Sequence, residues 1–104
     1  MVMSDTLDFK KLKSITKIRT ILNDNVEFKI GKTDDLNRRE CQHKNEGYTN
    51  FDVIAECTTL EEVDKLETDL VAFFRNYPTC KNKNAGGGGN TSKSEKYYIY
   101  LVTK

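Results

Sequence analysis

Lys29-Ile30-Gly31-Lys32-Thr33-Asp34-Asp35-Leu36-Asn37-Arg38-Arg39-Glu40-Cys41-Gln42-His43 is the stretch on which the reading of this chain turns. Just before and into it, Val26, Phe28 and Ile30 alternate with Glu27 and Lys29, a two-residue period that predicts a strand, and Gly31 breaks the run. Thr33 is the expected N-cap of a helix with Asp34 and Asp35 in its first turn, where carboxylates suit the positive end of the helix dipole. The result is strand, turn, helix. At about 100° per residue Leu36, Arg39 and His43 share one face of that helix. The side turned toward the protein then carries a guanidinium and an imidazole beside a leucine, which packing alone rarely requires.

Upstream, Ile15, Thr16, Ile18, Thr20 and Ile21 are β-branched and favour a strand from Ile15 to Leu22, which the turn Asn23-Asp24-Asn25 joins to the next as a hairpin. Residues 1–13 have too few apolar positions to fix an element and are expected as a loosely docked arm. Downstream, Phe51, Val53, Ala55 and Cys57 alternate with Asp52, Ile54 and Glu56 as a third strand. Thr58 or Thr59 then caps a helix from Leu60 to about Tyr77, stopped by Pro78. Leu60, Val63, Leu66, Leu70, Val71, Phe73 and Phe74 fill one arc of it. Glu67 falls inside that arc, between Val71 and Phe74. A carboxylate there is costly unless it is paired, hydrogen-bonded or metal-bound. An ion pair, an edge position and a site residue are the readings open to it.

Pro78 to Ser94 has no periodicity, and the Gly-rich loop 85–94 with Gly86 to Gly89 cannot hold regular structure. It lacks the GxxxxGK[ST] spacing and the following helix of a phosphate-binding loop and reads as a linker. Tyr97 to Val102 is an added C-terminal strand, apolar or aromatic on both faces. The expected architecture is a single α+β domain over residues 1–104, with a small antiparallel three-stranded sheet flanked by helices.

At 104 residues, 37% hydrophobic and 32% charged, the composition is that of a small globular domain. No apolar run approaches the roughly 18 residues of a membrane span, and Met1 to Ser4 lead straight into charged residues, so neither a membrane protein nor a secreted one is expected. Cys41, Cys57 and Cys80 are an odd set without paired metal-ligand spacing and read as reduced thiols of a cytoplasmic or nuclear protein. The net charge of +1 hides a division: residues 1–50 carry +2, residues 51–74 carry −6 and residues 75–104 carry +5. A basic terminal segment beside a polar helix suits a phosphate backbone, although solvated lysines are its commoner meaning.

The order hairpin, polar helix, strand, acid-bearing helix, with Ile30-Gly31-x-Thr33-x-x-Leu36-x-x-Arg39-x-x-x-His43 across the first junction, resembles the GIY-YIG nuclease superfamily. The resemblance spans about residues 15–84 and is closest to a phage and viral branch in which KIG stands in place of YIG. It implies metal-dependent hydrolysis of DNA phosphodiesters. In that reading Glu67 is the ligand of a divalent metal, Mg²⁺ or Mn²⁺. Arg39 holds the scissile phosphate, His43 moves a proton or contacts the phosphate, and Lys29 replaces the second family tyrosine. Ile18, Thr16 or Lys17 stands where the first tyrosine belongs, so Tyr98 or Tyr100 of the last strand, or Tyr48, is the possible substitute. Lys32, Arg38, Lys81, Asn82, Lys83, Asn84 and Lys93 are the expected DNA contacts, and a homodimer or a larger DNA-processing partner is the expected assembly. The alternative is a catalytically impaired module on the same fold that binds nucleic acid or a protein without cleavage.

Overall fold

The structure, a computed structural model, describes residues 7–22, 26–82 and 96–104. The described elements run α1 (Leu7–Ile21), β1 (Phe28–Thr33), α2 (Leu36–Asn45), β2 (Asn50–Cys57), α3 (Leu60–Phe74) and β3 (Tyr97–Thr103). The three strands form one sheet in the order β1-β3-β2, with β3 antiparallel to both neighbours. This is an α+β domain built on a small antiparallel sheet.

The last strand is therefore not an addition to a finished sheet but its centre. Tyr97, Ile99 and Leu101 face a core shared with Ile18, Phe28, Ile30, Leu66, Leu70 and Phe74, while Tyr100 and Val102 face Tyr48 and Phe51 on the other side. A strand buried on both faces has to be apolar on both, which the sequence Tyr97-Tyr98-Ile99-Tyr100-Leu101-Val102 satisfies. Phe28, Phe74 and Tyr77 meet edge-on at 5.1–6.2 Å between ring centroids, the arrangement that aromatic quadrupoles favour.

The expected hairpin does not form, because Ile15 to Ile21 lies within α1. The physical reason is spacing: Ser14 and Ile18 are buried and Lys11, Ile15, Ile21 and Leu22 half-buried, a stripe at intervals of three and four that only a helix can turn to one side. That stripe outweighs the β preference of branched side chains. Residues 7–13, expected as an arm, are the first half of the same helix, and residues 1–6 lie outside the described residues. Lys10 Nζ donates to Glu62 Oε1 (3.1 Å) and to the Glu56 carbonyl (3.2 Å), and Lys17 Nζ donates to the Val53 carbonyl (2.8 Å). Both lysines thus occupy outward carbonyls of edge strand β2, which discourages pairing with another chain.

Two smaller corrections follow from backbone geometry. The register of β2 shifts between Val53 and Ala55, so Ile54 and Cys57 both enter the core while Val53 turns outward. Strict alternation had placed Ile54 and Cys57 on opposite faces. In α3, Thr59 is the N-cap and accepts the Glu62 N–H, but Phe73, expected in the apolar arc, is exposed.

The outer edge of β1 is closed by residues 79–82. Phe28 N–H donates to the Thr79 carbonyl (3.0 Å) and Lys81 N–H to the Phe28 carbonyl (2.8 Å). One step along, the Asn82 side chain completes the ladder: its Oδ1 accepts the Ile30 N–H (2.9 Å) and its Nδ2 donates to the Ile30 carbonyl (2.8 Å). A primary amide has the donor and acceptor of a peptide group, so Asn82 acts there as one more strand residue.

Candidate nuclease site

The polar cluster begins at Gly31. Gly31 and Tyr100 are directly paired across β1 and β3, and the Tyr100 ring lies over the glycine. A Cβ at position 31 would stand 2.3 Å from Tyr100 Cζ and Oη. Only glycine leaves room for the phenol to cross the neighbouring strand, and the crossing carries its hydroxyl to α2. Phe51 of β2 stacks on the opposite side of the same ring at 4.9 Å and 18°.

The hydroxyl meets His43. Helix α2 starts two residues later than expected, with Asp35 as N-cap accepting the Arg38 N–H (3.0 Å), while Thr33 ends β1 and takes the Asp35 N–H on its own Oγ1 (2.9 Å). From that start Leu36 and Arg39 are half-buried and His43 is buried. His43 Nε2 lies 2.8 Å from Tyr100 Oη, and Nδ1 lies 2.9 Å from Glu46 Oε1. A carboxylate only accepts, so Nδ1–H donates to Glu46, and Nε2 is left to accept the Tyr100 O–H. Burial lowers the proton affinity of His43, and Lys29 and Arg39 lower it further, with Glu46 acting the other way. The imidazole is therefore neutral at pH 7. Burial is also the main cause that pushes the Tyr100 phenol up to about 12; Glu67 and Glu46 act in the same direction and Arg39 against it.

Arg39, Glu67 and Glu46 thus act electrostatically on the hydroxyl. Glu67 is 7% exposed on the inner face of α3, as its position between Val71 and Phe74 required. Arg39 donates from Nη1 to Gln42 Oε1 (2.9 Å), and its Nε is buried with no hydrogen-bond partner among the described residues. A guanidinium N–H with no partner among the described residues is suited to an anionic oxygen.

The other expected site residues divide. Lys29 Nζ stands 3.9 Å from Glu46 Oε1 and 6.0 Å from the centroid of the Tyr48 ring. Tyr48 is buried edge-on against His43 at 5.8 Å. Tyr98 is half-buried opposite Thr33 on β1. Lys32, expected at DNA, is buried and paired with Asp64 of α3. Asn82, also expected at DNA, is engaged with Ile30 through both ends of its amide, a clamp on the sheet edge. Arg38 is exposed, and Lys81 is exposed with Glu27 at 3.9 Å. Lys83, Asn84, Lys93 and the glycine run lie outside the described residues. Glu46 and Phe51 were not among the expected site residues; the three-residue step from His43 to Glu46 near the helix end was the available signal for the first.

The described residues contain no group of three or more His, Cys, Asp or Glu side chains able to hold a metal ion. Glu67 alone fits a hard cation such as Mg²⁺, which takes one or two carboxylates and completes its shell with phosphate oxygens and water. It does not fit a zinc site, which needs several protein ligands.

The fold is a small α+β domain. Residues 15–101 match the T5orf172 domain, and the chain belongs to that family, which is nuclease-like and related to GIY-YIG. No curated protein and no solved structure matches the chain. No helix among the described residues is long and apolar enough to cross a membrane.

Proposed function

We propose that the protein is a divalent-metal-dependent DNA endonuclease of GIY-YIG type in which Tyr100, on the central strand, takes the place of the missing family tyrosines. The observation that carries the reading is the hydrogen-bonded pair Tyr100–His43, with Arg39, whose Nε has no partner among the described residues, one turn before His43 on α2. The half-exposed Arg39 guanidinium would hold a phosphodiester oxygen and stabilise charge as it builds there. Tyr100 Oη, donating to His43, keeps its lone pairs for a proton from water. As the water oxygen bonds to phosphorus and the bond to the leaving sugar oxygen breaks, the water proton passes to Tyr100 and the tyrosine proton to His43 Nε2. The leaving oxygen takes its proton from solvent. Neutral His43 is the form able to accept. Glu67 would hold Mg²⁺ or Mn²⁺, which when bound supplies Lewis-acid stabilisation of the phosphate.

The test is cleavage of plasmid and branched DNA with Mg²⁺ or Mn²⁺ by the wild type, Arg39→Ala and Glu67→Ala. The proposal predicts metal-dependent cleavage lost in both variants. Cleavage that survives Glu67→Ala removes the mechanism, and DNA binding that needs no metal and never leads to cleavage favours the binding module.

A further inference from the structure

We propose that Glu46 is the positioning residue of this site: its carboxylate on Nδ1 fixes His43 in the Nδ1–H tautomer, which presents Nε2 to the Tyr100 hydroxyl as a proton acceptor. Lys29, beside the same carboxylate, tempers the strength of that hold.

The main chain keeps the two side chains together. Glu46 N–H caps the end of α2 on the His43 and Lys44 carbonyls, Gly47 N–H donates to the Lys44 carbonyl (3.0 Å), and Tyr48 N–H returns to the His43 carbonyl (3.0 Å). Gly47 takes φ +97°, a conformation that glycine adopts without strain. Residues 43 and 46 are thus held one turn apart, with Nδ1 and Oε1 at 2.9 Å. The ring cannot simply reverse its role, because its other nitrogen is at 2.8 Å from Tyr100 and its edge meets Tyr48. With the opposite tautomer, Nδ1 would be a bare lone pair against a carboxylate and Nε2–H would meet the hydroxyl as a donor. His43 would then be no acceptor for the tyrosine proton.

The charged and titratable groups around the imidazole come from every element against it: Glu46 and Arg39 from α2 and its cap, Lys29 from β1, Tyr100 from β3 and Tyr48 after the helix. Glu40 and Lys44, also on α2, face each other at 3.9 Å. Lys29 Nζ, 3.9 Å from the same Glu46 oxygen that binds Nδ1, competes with the imidazole for that carboxylate. This gives Lys29 a part different from that of a tyrosine substitute at the phosphate. It adjusts how readily His43 becomes an imidazolium when the tyrosine proton arrives.

The part played in cleavage rests on the nuclease reading, whereas the tautomer does not. His43 is the single histidine of the chain, so the ring ¹H–¹⁵N correlations of labelled protein report on it without ambiguity. Wild type, Glu46→Ala, Glu46→Gln and Lys29→Met are compared, with tautomer and titration read from the spectra and a pH–rate profile on DNA in the presence of Mg²⁺. The expected wild-type signal is Nδ1–H. Glu46→Ala moves the neutral ring toward Nε2–H, lowers the apparent pKa and cuts kcat at least about tenfold with little change in KM. Glu46→Gln keeps an acceptor for Nδ1–H, so it retains the tautomer while the pKa falls and the acid limb moves to lower pH. Lys29→Met shifts the pKa upward, and this opposite sign decides the matter if the Glu46 variants fail to fold. Nε2–H in the wild type, an unchanged tautomer in folded Glu46→Ala, or an unshifted or lowered pKa in Lys29→Met overturns the proposal. Spectra as expected in a protein that cleaves no DNA leave Glu46 in place and remove the nuclease reading instead.

Discussion

Gly31 and Tyr100 form one unit: the phenol ring occupies the volume a side chain at position 31 would take, with Cζ and Oη 2.3 Å from the place of a Cβ. The Ile30-Gly31 pair is thus tied to the chain's last strand by sterics. Gly31→Ala has to displace the ring, and overpacking of this kind costs about 1–3 kcal/mol. Denaturant unfolding of Gly31→Ala, Tyr100→Ala and the double variant should show the two changes to be strongly non-additive, with the alanine at 31 much less harmful once the ring is gone. Additive losses would mean that the two residues are not coupled.

Asn82→Ala leaves the N–H and carbonyl of Ile30 without their partners at the edge of β1. A loss of about 1–3 kcal/mol is expected for such groups, and faster amide hydrogen exchange at Ile30 should accompany it. Unchanged exchange at Ile30 would show that the side chain does not clamp the strand.

Lys32 tests the division between DNA contacts and structural lysines. Its ammonium group is buried against Asp64, so Lys32→Met should leave the salt dependence of DNA binding unchanged. Arg38→Ala, which removes an exposed cation next to Arg39, should weaken binding and flatten its salt slope by about one counterion. The reverse pattern would return Lys32 to the interface.

The pH dependence of stability follows from His43. Its proton affinity is lowered in the folded state, above all by burial, so below the ordinary value of 6.5 the unfolded chain binds the proton first. The stability contributed by the neutral ring is present above pH 6.5 and is lost as pH falls through the lower folded value. Unfolding free energies measured from pH 7.5 downward should decline in that window for the wild type and decline less for His43→Gln. Equal slopes would place the buried histidine elsewhere.

The sequence displayed some of this and concealed the rest for identifiable reasons. Glu67 and the Leu36, Arg39, His43 face were visible because a single helix fixes them by periodicity. Helix α1 was hidden by β-branched residues whose helical spacing is plain only when Ser14 and Lys11 are counted in its buried stripe. The bulge at Ile54 is a backbone event without a side-chain signature, so alternation misplaced Ile54 and Cys57. The central position of β3 could have been inferred from its two apolar faces, but its pairing with β1 across nearly seventy residues is non-local. The clamp made by Asn82 was hidden because nothing in its neighbourhood shows that Ile30, fifty-two residues earlier, needs an amide.

In the proposed mechanism Tyr100 supplies the reacting hydroxyl. The most direct test of that role is the rate of Mg²⁺- or Mn²⁺-dependent DNA cleavage by Tyr100→Phe, with Tyr98→Phe and Tyr48→Phe as controls. The phenylalanine keeps the ring over Gly31 and against Phe51 and removes only the oxygen that meets His43. A loss of about 10²-fold or more is expected for Tyr100→Phe alone, with the fold intact. Cleavage by Tyr100→Phe at the wild-type rate would contradict the mechanism.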